Sequence, residues 1–484
     1  MATSGKQDPA SPAQRWVLAL ASTASFIVVL DMLVVATALN TIRRDLGTSI
    51  SQLEWTVNAY TLSFAVLLLT AAALGDRFGR RLLFVVGLAV FGAASAGCAL
   101  ASSVGWLIAA RAVQGAGAAM IMPMALAVLN AAFPPQRRGW ALGIFGAITG
   151  LSAVVGPVVG GAITQGVAWP WIFWLNVPIA LVAIQLVLWR IKESRGPAGS
   201  LDVAGLILGA AAAFGLVWGL VRGNSAGWTS TGVLTTLVAG ALLGVAFVLR
   251  EAQTTEPMLP MRLFRSAAFS AGNAVIFLLN ASLTGAVFFM AQFQQVTLGQ
   301  GPLDAGLRLL PWGVVPVLIA PRAGALADRL GERPLIVTGM TLQTVGLAWI
   351  AAIAAPGVSY LALIGPMAVS GAGLALAIPA VTKSVVGSVA PGDIGKASGS
   401  FATMRQLGGA FGVAIPAAVF AAIGSYASAA AFSDGFASAM GAASGLALAG
   451  AIAALILPSR PRAVRPPAAP TQSQLDTRTP ATTR

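Results

Sequence analysis

Two charged side chains interrupt long apolar runs in this chain, Asp31 within 16–39 and Arg111 within 105–131. A charge in membrane hydrocarbon costs about 2.5–3.5 kcal/mol on insertion scales, so each is a candidate for function. Asp31 stands 15 residues after Trp16, which at about 1.5 Å of helix rise per residue is about 22 Å from the near face. Arg111 enters from the opposite face, six residues after Gly105, and so lies about 9 Å deep. In a core about 30 Å thick the two fall in one layer. Burial favours a protonated acid and a nearby guanidinium favours the carboxylate, so solvent access can decide which form Asp31 takes. The spacing predicts that Asp31 and Arg111 face a shared cavity, with Asp31 as the proton-binding group. The competing readings are a fixed structural ion pair and, for Arg111 alone, a side chain that snorkels to the interface.

The composition agrees with a membrane setting. Of 484 residues, 57% are hydrophobic and 9% charged, and the mean hydropathy is +0.84; a soluble chain carries about a quarter charged residues. There is no histidine and one cysteine, Cys98. That excludes an intrachain disulfide, His/Cys metal sites and His-based catalysis. No nucleophile and base pair can be named for an enzyme, and no GxxxxGK[ST] run offers a phosphate cradle for ATP hydrolysis. No metal and no cofactor are expected, and the proton motive force is the expected energy source.

A helix needs about 20 apolar residues to span the core, and fourteen such runs can be read between residues 16 and 457. The division between the fifth and sixth rests on Trp169-Pro170-Trp171. An even number of spans puts both termini on one side. On that side fall 23 Lys and Arg residues, against 4 on the other, so the positive-inside bias makes it cytoplasmic. The net charge of +14 is thereby a topology signal, and nucleic acid is not an expected partner. The polar start of the chain has no small-residue cleavage site, so the first run reads as a retained span. Arg outnumbers Lys 25 to 4, a compositional hint of a GC-rich bacterial genome.

The chain repeats itself. Leu74-Gly75-Asp76-Arg77-Phe78-Gly79-Arg80-Arg81 returns as Leu326-Ala327-Asp328-Arg329-Leu330-Gly331-Glu332-Arg333, and Gly115-Ala116-Gly117 with Pro123 returns as Gly371-Ala372-Gly373 with Pro379. Each pair is separated by an even number of spans, so both copies face the same way. The expected fold is all-α and polytopic: a tail at 1–15, a six-helix half at 16–195, two extra helices and a linker at 196–267, a parallel six-helix half at 268–457, and a disordered tail at 458–484. Parallel six-helix halves suit a transporter that rocks one half against the other around a midplane site.

Three further patterns have candidate roles. Asp76, Arg77, Gly79 and Arg80, with Asp328 and Arg329 in the second copy, read as a conformational latch between the halves, in which an acid meets the positive end of a neighbouring helix; the alternative is an ordinary basic loop. Gly143, Ser152, Gly156, Pro157, Gly160 and Gly161 lie on span 5. They predict a built-in bend there, since proline removes a helix hydrogen bond, or else a generic packing face. Asn280, Thr284, Phe288 and Gln292 recur every four residues on span 9, a stripe that could line a substrate cavity or bond a neighbouring helix.

With these residues, the chain resembles the major facilitator superfamily and, within it, the fourteen-helix drug:proton antiporters, over about 16–457. Leu30-Asp31 followed by Val34 through Leu39 looks like that family's first-helix motif, whose acid takes part in proton coupling, although Asn40 stands where a proline is usual. Leu74 through Arg81 matches the superfamily's loop motif, with Ala72 in place of its leading glycine. Arg111 through Gly117 matches the fourth-helix motif, whose arginine is associated with proton transfer. Gly143 through Gly161 resembles the antiporter motif, typical of exporters. Trp171-Ile172-Phe173, Asn176-Val177-Pro178 and Arg405-Gln406-Leu407-Gly408-Gly409 are also family-like. Some relatives pair the loop motif with an acid at the end of span 4, where this chain has Asn130.

The resemblance implies efflux of an amphipathic drug or antibiotic in exchange for protons, across the bacterial cytoplasmic membrane, by a protein that works as a monomer. A single buried acid points to neutral, zwitterionic or monocationic cargo. The rival readings are a proton-coupled uptake symporter and a transport-inactive receptor or assembly subunit.

Overall fold

In this computed structural model, residues 11–48, 50–195, 202–254, 257, 259–390 and 393–458 are described. The expected terminal tails lie largely outside them. The described residues form sixteen α-helices and one 3-10 turn, and no strand. In the first half run α1 (Pro12–Leu46), α2 (Ile50–Phe78), α3 (Arg80–Ala99), α4 (Val104–Ala132), α5 (Pro135–Gly166), α6 (Trp171–Trp174) and α7 (Asn176–Arg190). Then come α8 (Val203–Ala226) and α9 (Thr231–Gln253). The rest is α10 (Ala267–Val296), α11 (Pro302–Arg308), α12 (Leu310–Leu330), α13 (Glu332–Ile353), α14 (Tyr360–Gly387), α15 (Ile394–Ile423) and α16 (Ala429–Ala454).

The ends of these helices follow from local chemistry. Ser11 and Gln14 form a reciprocal capping box at the start of α1, and Gly47, at φ 59°, closes it in the left-handed conformation that glycine tolerates. Serine hydroxyls cap α4, α10, α14 and α16, meeting backbone N–H groups that have no partner in the first turn.

Thirteen spans are long and apolar enough to cross a membrane, with α6–α7 and α11–α12 each making one. The fourteenth is α2, bent by 49° between Trp55–Leu68 and Thr70–Phe78. The break expected around Trp169 is present, since α5 stops at Gly166 and α6 starts at Trp171. In span 5, α5 continues unbroken through Pro157, and the break with a bend of more than 40° falls in α2.

The first six spans pack on one another through α1 with α5, α2 with α4, and α3 with α4 and α7. The last six do so through α10 with α15 and α16, and α14 with α12 and α13. The halves meet where α1 touches α10, α2 touches α15, and α5 touches α11 and α12. The α8–α9 pair lies outside this seam, with α8 against both α2 and α15.

Many of the joining contacts lie toward the end of the bundle remote from the termini. There Asn40 Nδ2 donates to Gln295 Oε1 (3.3 Å), Gln295 Nε2 donates to the Thr37 carbonyl (3.1 Å), and the Leu303 N–H donates to Gln165 Oε1 (3.2 Å). One apolar core runs across this end, from Val34, Leu39 and Ile42 of α1 through Phe173 to Phe289 and Phe293 of α10. Toward the terminal end, α2, α8, α10 and α15 leave a cavity of about 310 Å³ between them, bounded by Val66, Gly209, Phe277 and Met404.

Candidate functional site

Asp31 on α1 and Arg111 on α4 meet inside the first half. Arg111 Nη1 donates to Asp31 Oδ2 at 2.5 Å, and both side chains are fully buried. The rise of the two helices places them in one layer, as their depths in sequence require. Around them the polar groups of five spans close a network. Gln114, one turn along α4, accepts from Arg111 Nη1 at 2.7 Å and donates to Asp31 Oδ1 at 2.9 Å. Asn176, at the start of α7, donates to the same Oδ1 at 2.7 Å. Ser95 of α3 accepts from both amides, at 2.7 Å from Gln114 and 3.3 Å from Asn176. Arg111 Nε donates to the Thr56 carbonyl of α2 at 3.1 Å.

Aromatic rings complete the enclosure. The Arg111 guanidinium carbon sits 4.1 Å from the Tyr60 ring centroid and 5.7 Å from that of Phe173, within cation–π range. Tyr60 is held in place by its hydroxyl, which donates to the Val28 carbonyl at 3.0 Å. A buried ion pair is stable only when its remaining hydrogen-bonding capacity is met, and for the carboxylate it is met: Oδ1 accepts two amides and Oδ2 the guanidinium. Arg111 Nη2 is left without a partner.

These contacts set aside one reading of the pair. Arg111 does not snorkel. The pair also does not face a cavity, because Tyr60, Phe173 and the Gln114–Asn176 amides occupy the space around it. Ser95 and Tyr60 escaped the sequence reading, and Gln114 and Asn176 entered it only as parts of family-like strings. The available signal was the presence of uncharged polar residues inside apolar runs.

The comparisons follow the same architecture. The family model described as Major Facilitator Superfamily matches residues 21–413 and, in a second placement, 274–482. The chain belongs to the major facilitator superfamily. It is 36% identical over 396 residues to the tetracenomycin C resistance and export protein of Streptomyces glaucescens, covering 80% of this chain and 72% of that one. It is also 36% identical over 405 residues to the cephamycin export protein of Amycolatopsis lactamdurans, covering 82% and 83%. The crystal structure of a POT family transporter in complex with a thioalcohol-conjugated peptide has the same fold, with a TM-score of 0.69 at 14% identity over 92% of this chain and 94% of that one.

The other candidate residues of this facilitator chain fall as follows. In the loop after span 2, Arg80 pairs with Asp76 of its own turn at 2.8 Å. Arg77 is exposed beside the Phe78 ring. Gly79, at φ 126°, abuts Glu193, whose carboxylate accepts the N–H groups of Arg81 and Leu82. Among the described residues, the contacts of Asp76, Gly79 and Arg80 tie the loop to its own half. The side chains of Asp328 and Arg329, and the surroundings of Gly143, lie outside what is described.

The span-5 glycines are contact points. A Cβ on Gly156 would press on Leu33, and one on Gly160 would collide with Thr37 and Val34, all of α1. One on Gly161 would collide with Pro302 and Leu303 of the opposite half, and Gly306 meets the Pro157 carbonyl in the same way. Such small residues let helix backbones approach. They give the GPVVGG cluster a packing role where a bend was expected.

The span-9 stripe divides. Asn280 Nδ2 donates to the Arg405 carbonyl at 2.7 Å, and Gln292 Oε1 accepts from the Tyr426 hydroxyl. Phe288 and Gln292 are buried, so these two bind helices together and do not line a cavity. Asn280 and Thr284 are half-buried and stand beside Gly409 of α15.

Proposed function

We propose that this protein exports an amphipathic small molecule of the antibiotic or drug class across the bacterial cytoplasmic membrane, in exchange for protons. The observation that carries this reading is the Asp31–Arg111–Gln114–Asn176 network, a titratable acid deep in a transporter half with every carboxylate contact made by a movable side chain. Export proteins for tetracenomycin C and cephamycin among its relatives support the outward direction.

In the proposed cycle, the arrangement with the far end closed holds Asp31 ionised against Arg111. When the halves separate at Gly161 and Gly306, a proton from outside reaches Asp31 and releases its hold on the guanidinium. As the far end shuts again a path from the cytoplasm reaches the acid, Asp31 gives up the proton there, and the sealed ion pair of the present arrangement re-forms. Cargo binding and protonation favour opposite arrangements, which is what couples the two. The six-helix halves at 16–195 and 268–457 act as the two rocking bodies, both termini are cytoplasmic, and no cofactor or enzymatic step is involved.

The test is transport in sealed proteoliposomes. Substrate-dependent proton release should accompany accumulation, and Asp31→Asn should abolish both. Accumulation that persists with no pH or voltage gradient would overturn the reading, and cargo moving with protons in the same direction would make the protein a symporter.

A further inference from the structure

The third charge in the membrane is Arg405, which the coupling network does not use. It lies 11 residues into α15, about 17 Å along the helix axis and so near the middle of a core about 30 Å thick. Arg111 has a carboxylate, an amide and a backbone carbonyl as partners. Arg405 has no ion pair, and its guanidinium has no hydrogen-bond acceptor, among the described residues; only its carbonyl is engaged, by Asn280. The side chain is half-buried, not sealed.

Its surroundings locate it on the seam. Residues three and four apart share a helix face. One turn before Arg405, Ala402 packs on the apolar core of the first half. One turn after it, a Cβ on Gly409 would touch Asn280 and Thr284 of α10 and Thr61 of α2. The face that carries Arg405 therefore looks into the space where the halves meet.

A bare guanidinium at this depth is costly unless an anion meets it for part of the cycle. The acid nearest in type, Asp31, already has Arg111 and two amides. We infer that Arg405 is the anion site of the substrate path: it pairs with a carboxylate or acidic phenol on the cargo. This rests on the export reading and narrows it. Cargo would be an amphipathic weak acid or zwitterion, and a monocation, which a single buried acid alone would allow, is repelled by Arg405.

The test compares two probes built on one ring system, anionic fluorescein and cationic rhodamine 6G, with the full chain in nanodiscs and fluorescence anisotropy as readout. Wild type should bind fluorescein at least about tenfold more tightly than rhodamine 6G, since a charge-assisted guanidinium pair contributes about 1.5–3 kcal/mol. Arg405→Gln should remove that preference and Arg405→Lys should keep most of it. Should Arg405→Gln fail to fold, Arg405→Met, which keeps the stem without the charge, makes the same comparison. Equal binding of fluorescein by wild type and Arg405→Gln, tighter binding of the cation, or no binding of either probe would overturn the proposal. In proteoliposomes, selective binding without uphill movement of fluorescein would reject export while leaving the anion site standing.

Discussion

The Asn176 amide lies 2.7 Å from Asp31 Oδ1, the same oxygen that Gln114 reaches at 2.9 Å. Asn176 begins α7 and Gln114 sits in the middle of α4, so one oxygen atom ties the first, fourth and sixth spans together. A change in its charge is felt by all three helices at once. That is how a single protonation can act on the whole first half without any long-range wire.

Replacing the acid leaves Arg111 buried without a counter-ion. Removing one partner of such a pair costs about 3–5 kcal/mol, so Asp31→Asn should lower the thermal midpoint in detergent as well as ending proton-coupled export. The double variant Asp31→Asn/Arg111→Gln should recover much of the thermal loss and none of the coupling. A double variant as unstable as the single one would show that the pair is not the unit.

Gln114 bridges both charges, and an apolar side chain there leaves Asp31 Oδ1 and Ser95 short of a donor. Orphaned buried groups cost about 1–3 kcal/mol each. Gln114→Leu should therefore destabilise by that order in a melting assay, and the stoichiometry of protons per cargo should fall in vesicles. Gln114→Glu tests the chemistry separately, since it keeps the shape but adds a charge.

At the far end, Gly161 and Gly306 admit the opposite half's backbone. Gly161→Val or Gly306→Val should hold the halves apart there, slowing turnover at least about tenfold if closure is a required step. A thiol reagent should then modify a cysteine placed at Gln165 faster than in the unsubstituted protein. Equal labelling would mean that the seam opens elsewhere.

Beside α8, Asp202 caps the helix through the Gly205 N–H and also faces Arg250 and Thr254. The Gly205 hydrogen bond first, and then Arg250 and Thr254, hold its carboxyl below the ordinary value of 3.8. A depressed folded-state value gives stability that is present above the unfolded value and lost as pH falls through the folded one. Acidifying from about pH 7 to about pH 5 should thus leave the start of α8 protected from hydrogen exchange. Asp202→Ala should raise exchange there at neutral pH by the loss of a cap, about 1 kcal/mol.

The span count, the repeat and the depth of Asp31 and Arg111 were legible because each is a property of one helix at a time. Length in apolar residues sets the span, and rise per residue sets the layer. What the sequence could not supply was the direction of each side chain about its helix axis. Hence Asp31 and Arg111 were expected at a cavity and lie in a closed network, and Phe288 and Gln292 shared a stripe that turned out to bind helices. Pro157 suggested a bend because the rule for proline is local, whereas the packing of α1 and α11 on the α5 glycines depends on neighbours that no local rule names. Asp76 lies in the last turn of α2 and Arg80 starts α3, and the turn at Gly79 brings the two together, a geometry that their spacing alone does not reveal.

Where Gly161 meets Pro302 and Gly306 meets Pro157, the halves touch through bare main chain. At these two points no rotamer has to be found again each time that end shuts, so ordering entropy is lost at the flanking Asn40–Gln295 and Gln165–Leu303 bonds and not at the glycines. The same bareness leaves the lock one methyl group wide: a single alanine would wedge it open, damaging the cycle while the fold itself survives.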